Sequence, residues 1–402
     1  MNDSKKAIDR RSFLLTATAA GVGAVALGGT ARAGEPAAPP AAPAPAPQGT
    51  AAAAPKPSGS KKLDEVLKAA REKLYPRCRV CPFCDGEACA GEVPGLGGMG
   101  TGASFKNNVK ALARVRLHMR TLHDVAKPDL TTTILGQKLS FPVLCASLGG
   151  TTYNMGAKMT EEAFIDAVLG GAQLAGTMGF IADGTEDPLA TYKVRLAAMG
   201  RFGGRGVGVI KPRDQASIRE RVALIEEAGG TAVAIDIDSA GRSVRAAKLG
   251  QIIEPKTARQ LAEIARSTRL PLILKGVMTV DEAVAAVDVG AKAIVVSNHG
   301  GRNLDHTPGT ADVLPAIAKE VKGKLTILAD GGVRYGADVL KMLALGADAV
   351  LVGRPAIRGA HGGGAEGVQV VLEKMKSELA EAMVLTGTAS VRAVSARAVS
   401  IA

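Results

Sequence analysis

Short apolar runs alternate with amphipathic segments through most of the chain, and this alternation limits the fold more than any other feature. The runs are mostly β-branched or leucine-rich and almost continuously apolar, which is typical of parallel strands buried on both faces. The segments between them have apolar residues three and four positions apart, acidic first turns and terminal glycines, as amphipathic helices do. There are eight such runs, at residues 141–148, 176–183, 205–212, 232–238, 270–277, 293–300, 325–332 and 349–355.

This count of strand–helix units predicts the fold class. Eight units in about 215 residues indicate a (β/α)8 barrel (a TIM barrel) over residues 141–390. A doubly wound open sheet is the alternative, but no G-x-G-x-x-G follows the first strand. Aromatic residues make up only 3% of the chain, so Ala, Val, Leu and Ile must fill the core. Functional residues are expected at the carboxyl ends of the strands, where such barrels place their chemistry.

The first sixty residues do not read as part of a folded body. Residues 1–33 contain the pair Arg10 and Arg11, then Ser-Phe-Leu, a glycine- and alanine-rich apolar stretch and an A-x-A site. This pattern resembles a twin-arginine export signal and predicts a periplasmic protein. A membrane anchor is the alternative, but the apolar stretch is short and glycine-rich. Residues 34–60 are an Ala/Pro-rich linker, and residues 61–140 are expected to form an extension before the barrel.

A base and a fixed cation follow the sixth predicted strand. The segment VSNHGGRNLD places Ser297 at the strand end, then His299, two glycines and Arg302. The glycines carry no side chains, so a flat ligand could approach the backbone closely between the two polar groups.

Lys275, at the end of the fifth predicted strand, needs an anionic partner if it is buried in a barrel mouth. One such partner is a flavin ring, which becomes anionic on reduction. The alternative is a structural ion pair with Asp236 or Asp238.

Glycine–arginine loops follow the seventh and eighth predicted strands. In barrels of this class these loops form the usual phosphate site, where backbone N–H groups face the anion and arginines add charge-assisted hydrogen bonds. Plain turn glycines are the alternative. The residues of this predicted cradle are Gly331, Gly332, Arg334, Gly353 and Arg354.

Four cysteines stand close together before the barrel, in the pattern C-x2-C-x2-C-x4-C. This compact spacing resembles ferredoxin ligand runs and favours a [4Fe–4S] cluster. A four-thiolate zinc site and two disulfides are the alternatives. A twin-arginine signal favours the cluster, because that export route moves folded proteins with bound cofactors. The four residues are Cys78, Cys81, Cys84 and Cys89; the fifth cysteine, Cys145, is expected in the core.

VSNHGGRNLD, together with LADGGVRYGADVLKMLALGADAVLVGRP, resembles the FMN-dependent α-hydroxy-acid dehydrogenases and oxidases, such as glycolate oxidase and L-lactate dehydrogenase. The resemblance covers most of residues 104–390. It implies an FMN enzyme that oxidises a small 2-hydroxy acid to the 2-keto acid, with hydride transfer to the flavin. It also implies a homo-oligomer, as family members often form tetramers.

The resemblance implies a role for each polar residue at the barrel mouth. His299 is implied as the catalytic base, Arg302 as the group that binds the substrate carboxylate, and Lys275 as the cation that stabilises the reduced flavin. Asp236 is implied to hydrogen-bond the histidine. Contacts with the flavin are implied for Ser297, Asp330, Gly332, Arg334, Gly353 and Arg354.

These residue types also suit the chemistry. Oxidation of a 2-hydroxy acid removes a proton and two electrons from the substrate. Histidine is a base poised near neutral pH, arginine holds a carboxylate with two hydrogen bonds, and the electrons need a cofactor.

The resemblance is incomplete on the third and fourth strands. Gly206 and Gly208 stand where the family usually has Gln and Tyr, and Ala234 stands where it has Thr. A second carboxylate-binding Arg is replaced by Ser243, with Arg242 one place earlier. Two alternatives therefore stay open. One is an FMN barrel isomerase similar to type 2 isopentenyl diphosphate isomerase, against which the His-Gly-Gly-Arg segment argues. The other is a flavin or redox module with a degenerate substrate site.

The net charge of +12 does not indicate nucleic-acid binding. The basic residues are scattered among acidic ones and lack interleaved aromatics on which bases could stack. The expected partners are a small 2-hydroxy acid, an electron acceptor whose identity the sequence does not specify, and further copies of the chain.

Overall fold

Before the barrel, the described part of the chain contains two helices and three short strands. The computed structural model describes residues 63–402, so the predicted signal at 1–33 and linker at 34–60 lie outside the described residues. The first elements are α1 (Leu63–Leu74), α2 (Ala103–Arg114), β1 (Val115–Leu117), β2 (Thr132–Ile134) and β3 (Gln137–Leu139).

Eight parallel strands close into a barrel, so the predicted (β/α)8 fold is confirmed. Each strand pairs with the next one in the sequence, and the last pairs with the first, with Val350 opposite Val143. The barrel strands are β4 (Val143–Leu148), β5 (Gly179–Ala182), β6 (Gly206–Ile210), β7 (Ala232–Asp236), β8 (Leu272–Val277), β9 (Ala293–Val296), β10 (Thr326–Ala329) and β11 (Ala349–Val352).

At least one helix follows every barrel strand. Several begin with a side chain that caps the free backbone N–H groups; Thr160, for example, accepts a hydrogen bond from the N–H of Ala163 at the start of α4. No helix in the described part of the chain is both long and apolar enough to span a membrane. The helices are α3 (Thr151–Asn154), α4 (Glu161–Leu174), α5 (Leu189–Arg201), α6 (Gln215–Glu227), α7 (Ser243–Ala247), α8 (Ala258–Arg266), α9 (Val280–Asp288), α10 (Thr310–Val321), α11 (Gly336–Ala344) and α12 (Arg354–Leu385).

The last strand, β12 (Val399–Ile401), pairs with β1 in antiparallel orientation, outside the barrel.

Alternate residues of each barrel strand point into the barrel, because successive side chains of a strand lie on opposite faces. The intervening residues pack against the helices in a second, larger core that includes Cys145. The barrel interior is filled by apolar side chains, among them Leu144, Phe180, Val207, Val209, Ala234, Ile273, Val295, Leu328 and Leu351.

The β2–β3 hairpin closes the amino-terminal end of the barrel. Its residues Ile134 and Leu139 are buried and belong to the same cluster as the inward-facing residues of the strands. With this end covered, the opposite end is left as the open mouth.

The N-terminal extension packs onto the loop after β9. The N–H of Met99 donates to the carbonyl oxygen of Gly301 at 2.8 Å. Gly301 has a φ of +76°, and a Cβ there would lie only 2.3 Å from the backbone nitrogen of Phe105. Asp305 in the same loop accepts hydrogen bonds from both the N–H and the hydroxyl of Thr101. The extension therefore holds in place the loop that contains the predicted base.

We predict that Leu139→Ala lowers the free energy of unfolding by about 2–5 kcal/mol, because it leaves a cavity under the barrel. Leu122→Ala is the matched control, since Leu122 is fully exposed, and should change stability by less than about 0.5 kcal/mol. Urea unfolding followed by circular dichroism measures both. Equal effects of the two substitutions would contradict the assignment of the hairpin as the floor of the barrel.

Candidate active site

The inward-facing row of most strands becomes polar, or ends in glycine, at the mouth. On six successive strands, the residue two positions after the last inward-facing apolar residue is charged, a hydroxyl or a glycine. The strand period of two therefore turns these side chains toward the barrel axis. They are Lys211, Asp236, Lys275, Ser297, Asp330 and Gly353.

Asp236 lies between two buried lysines. The Nζ of Lys275 donates to its Oδ1 at 3.0 Å, and the Nζ of Lys211 donates to its Oδ2. The Ser239 hydroxyl also donates to Oδ2, at 2.9 Å. Burial alone would raise the pKa of Asp236, but the two lysines hold it well below its usual range. The carboxylate therefore stays ionised. Lys275 forms the ion pair with Asp236 that the sequence analysis gave as the alternative to a flavin partner.

His299 faces two carboxylates through Nδ1. This atom lies 3.3 Å from both carboxylate oxygens of Asp238 and 3.5 Å from Oδ1 of Asp236. The backbone N–H of His299 donates to the Ser297 hydroxyl at 3.0 Å, and its φ is +59°. Carboxylates only accept hydrogen bonds when ionised, so they favour the tautomer with the proton on Nδ1 and with Nε2 as the basic nitrogen, while Nζ of Lys275 also lies 3.5 Å from Nδ1. The expected approach of Asp236 is present, but Asp238 lies nearer.

A cavity of about 670 Å³ opens between His299 and the loops after β10 and β11. Among the described residues, two guanidinium nitrogens of Arg334, Nε and Nη2, have no hydrogen-bond partner, nor does Oδ1 of Asp330. Burial raises the pKa of the Asp330 carboxyl. All residues predicted to contact a flavin except Ser297 line this cavity, namely Lys275, Asp330, Gly331, Gly332, Arg334, Gly353 and Arg354.

The arginines at the mouth differ in their partners. Near β5 and β6, Arg195 pairs with two carboxylates and Arg213 with one. Within residues 63–402, the described contacts give Arg302, Arg334 and Arg354 hydrogen bonds to backbone carbonyls and a side-chain amide, but no carboxylate within 4.0 Å. Unpaired buried cations need an anion, so this side of the mouth is built to receive one.

A second cavity of about 570 Å³ adjoins the first, and His299 and Arg302 line both. The Nη2 of Arg302 donates to the carbonyl oxygen of Gly95 at 2.9 Å and to Oδ1 of Asn154 at 2.8 Å. Its Nε has no partner in the part of the chain that the structure describes. Burial and two neighbouring arginines lower the pKa of Arg302 to about 9. The side chain is thus held in a fixed position with donor capacity left for a carboxylate.

The third barrel strand shows which way the two glycines face. Gly206 and Gly208 stand where the family usually has Gln and Tyr, but a Cβ on Gly208 would lie 2.3 Å from Cγ1 of Ile225 on the outer helix α6. Both glycines therefore point outward, and Val207 and Val209 fill the inward positions. Within β6 the inward face is apolar, and Lys211 is the first polar residue of that row.

The four clustered cysteines line one small cavity of about 340 Å³, beside the first cavity. None of them is bridged in the described structure. Burial would raise the pKa of Cys84, but three surrounding arginines (334, 354 and 358) lower it, which favours the thiolate. A zinc ion would need sulfurs about 3.8 Å apart, given Zn–S bonds of about 2.3 Å.

In the described residues, the only cluster of three ligand side chains with atoms within 4.8 Å of one another is Asp236, Asp238 and His299, which contains no cysteine. Lysines already occupy both oxygens of Asp236 in that cluster.

Sequence reasoning considered Asp238 only as an ion-pair partner of Lys275, and it gave no role to Asn154 or Arg358, which the fold brings to the site. Asp238 follows Asp236 by two residues, so its strand-like spacing was a usable signal. Arg358 follows Arg354 by four residues and therefore shares its helix face. Asn154 lies in a short helix after the first barrel strand, and its neighbours in the sequence do not indicate its contact with Arg302.

Comparisons with known proteins agree with this geometry. The family model described as FMN-dependent dehydrogenase matches residues 96–258 and 247–401. The chain is similar to 2-hydroxyacid oxidase 1 of Mus musculus, with 33% identity over 334 residues that cover 72% of this chain and 86% of the relative. It is also similar to glycolate oxidase 3 of Arabidopsis thaliana, with 30% identity over 328 residues that cover 73% of this chain and 86% of the relative.

Solved structures give the same result. A crystal structure of mandelate oxidase superposes with a TM-score of 0.69 at 30% identity, covering 84% of this chain and 97% of that chain. A second one, with benzoyl-formic acid, has a TM-score of 0.68 at 32% identity and the same coverage.

We predict that Asp236→Asn destabilises the protein by about 3–5 kcal/mol, because it leaves two buried lysines without a counter-charge. The folded-state pKa of Asp236 lies well below the value of about 3.9 found in unfolded chains. The stabilisation is therefore complete above that value and is lost as the pH falls through the folded-state pKa. Urea unfolding at about pH 7 and about pH 5 should give the same difference between wild type and variant.

Asp166→Asn serves as the control, since it removes a surface pair with Arg201 and should cost less than about 1 kcal/mol. A difference for Asp236→Asn that shrinks between those two pH values would argue against the depressed pKa.

Proposed function

This chain belongs to the FMN-dependent dehydrogenase family, and we propose that it oxidises a small 2-hydroxy acid to the 2-keto acid with His299 as the base. Its relatives are named 2-hydroxyacid and glycolate oxidases, and the similar solved structures are of mandelate oxidase. One observation carries the proposal: His299 and Arg302 stand together on the wall between the two cavities. A substrate in the second cavity would thus meet a base and a carboxylate-binding group beside the cofactor.

The residues of the first cavity fit FMN. The unpartnered N–H groups of Arg334, the glycine backbone of the loop after β10, and Arg354 at the start of α12 form a cationic cradle for its phosphate. Lys275 supplies a further buried cation on the wall of this cavity. When bound, FMN supplies the acceptor for the two electrons that leave the substrate.

Arg302 binds and orients the substrate through its carboxylate. Its guanidinium is already positioned by Gly95 and Asn154, so little side-chain entropy is lost on binding. The same contact places the hydroxyl-bearing carbon against His299.

His299 accepts the hydroxyl proton at Nε2. The carboxylates of Asp238 and Asp236 face its Nδ1 and stabilise the imidazolium that forms. Lys211 and Lys275 neutralise Asp236, so Asp238 supplies the less compensated negative charge.

The two alternative functions are less well supported. An isomerase of the type considered would not need the His-Gly-Gly-Arg segment, whereas both of its polar side chains line the site here. A degenerate redox module would leave Arg302 without a ligand.

We also propose that Cys78, Cys81, Cys84 and Cys89 hold a [4Fe–4S] cluster. The spacing, a single cavity surrounded by all four residues, and the cations beside it support this cofactor. Such a cluster accepts one electron at a time, so we propose a one-electron acceptor outside the protein.

We propose twin-arginine export of the folded protein to the periplasm, supported by the Arg10–Arg11 pair and the apolar stretch that follows it. A homotetramer is proposed from the family resemblance alone.

The first experiment is an anaerobic visible spectrum of the purified protein before and after L-lactate, glycolate or mandelate is added. We expect the flavin bands to bleach in the wild type. His299→Ala should keep its FMN but lose bleaching by at least about 100-fold in rate, since a positioned base contributes that much. His306→Ala, an exposed histidine in the same loop, is the control and should bleach normally. Flavin bands that no 2-hydroxy acid alters would overturn the proposed function.

The cluster proposal predicts that Cys84→Ser lowers bound iron and the broad absorbance beneath the flavin bands. Cys145→Ser is the control, because Cys145 is buried in β4 away from the cavity, and it should keep its iron. Metal analysis and electron paramagnetic resonance of the dithionite-reduced protein measure the outcome. Iron content that is unchanged in Cys84→Ser, or zinc in place of iron, would rule the cluster out.

A further inference from the structure

The flavin cavity and the cysteine cavity share a wall. Leu96 and Arg354 line both of them. The Nε of Arg354 donates to the carbonyl oxygen of Leu96 at 2.8 Å, and its Nη2 donates to those of Gly97 and Gly300 at 3.2 and 3.1 Å. Its guanidinium carbon lies 3.6 Å from the centre of the Phe105 ring. This cation is therefore held rigidly between the two sites.

Two further arginines extend this layer on either side. Arg334 lines the flavin cavity, and two of its nitrogens have no partner within residues 63–402. Arg358 lines the cysteine cavity but not the flavin cavity, and its Nη2 donates to Sγ of Cys78 at 3.9 Å. Its Nε has no partner in that part of the chain. Among the described contacts of residues 63–402, none of the three arginines has a carboxylate within 4.0 Å.

Three neighbouring cations without carboxylates need other anions nearby. The proposed function provides two: the FMN phosphate on one side and the thiolate-bound cluster on the other. The cluster gains a further negative charge on reduction, so a cation beside its thiolates stabilises the reduced form more than the oxidised form.

We infer that Arg334, Arg354 and Arg358 form a cationic layer shared by the flavin phosphate and the iron–sulfur cluster, in which Arg358 raises the reduction potential of the cluster. This inference rests on the proposed function. Under this inference, the electrons released from the 2-hydroxy acid leave the protein through the cluster. Each 2-keto acid formed releases two electrons and two protons. The electrons pass through the cluster one at a time to two molecules of a one-electron acceptor, and the protons go to solvent.

The test compares the potential of the cluster in wild-type holoprotein, R358Q and R358K by anaerobic spectroelectrochemical titration. In R358Q, we expect the ratio of reduced to oxidised cluster at a fixed potential to fall at least about tenfold, or about 59 mV for a one-electron couple. R358K keeps the charge and should stay near the wild type. FMN content should be the same in R358Q and R358K, because Arg358 does not line the flavin cavity.

A second readout is the reduction of ferricyanide, used as the one-electron acceptor, with the 2-hydroxy acid as donor. It should slow in R358Q and recover in R358K. A wild-type potential in R358Q would overturn the inference. If R358Q loses its iron, R358K decides: a retained potential supports the inference, and a lowered one overturns it.

Failure of the cationic layer and failure of the proposed oxidation give different results. Wild-type protein without iron overturns the shared layer, while bleaching of the flavin by a 2-hydroxy acid would still uphold the proposed oxidation. Flavin that no 2-hydroxy acid bleaches overturns the oxidation, while titration with a chemical reductant still measures the effect of Arg358 on the cluster.

Discussion

The positive charges at the barrel mouth are neutralised in two ways, and the site depends on this difference. Around Asp236, each buried cation meets a carboxylate of the protein, so the charges are balanced before any ligand arrives. Across the mouth, Arg302, Arg334 and Arg354 contact uncharged acceptors instead. An ion removed from water costs several kcal/mol unless it is compensated. The first group therefore forms a rigid support, and the second remains attractive to anions.

Strand geometry decides which residues take part. The inward-facing rows fill the barrel with apolar side chains and end in polar ones, so most of the site is built on strand ends, whose positions the sheet determines. His299 and Arg302 are exceptions, because they lie in the loop after β9. That loop is anchored by the N-terminal extension through Met99 and Gly301. The extension thus contributes to the site without supplying the reacting groups.

The sequence was sufficient to predict the eight strands, the polar mouth and most of the polar residues that line the cavity beside His299. Continuous apolar runs and glycine–arginine loops are patterns of neighbouring residues, so they can be recognised without knowledge of the tertiary structure. It was not sufficient for the third strand, because a shift of one residue exchanges the two faces; Gly208 points outward and Val209 inward. It also missed the layer between the cavities. Leu96 and Arg358 are brought together there by tertiary packing, and no local pattern connects such distant positions.

The pairing of β4 with β11 has a consequence for how the protein matures. These strands are the first and last of the barrel, so the ring closes through a contact between distant parts of the chain. Such contacts form late and slowly in folding. The flavin cavity is lined by Ala146 from β4 and Gly353 after β11, and so it exists only in the closed ring. Any ligand that binds there stabilises the closed state by mass action. Cofactor supply in the cell would then control how much of the newly made chain completes folding.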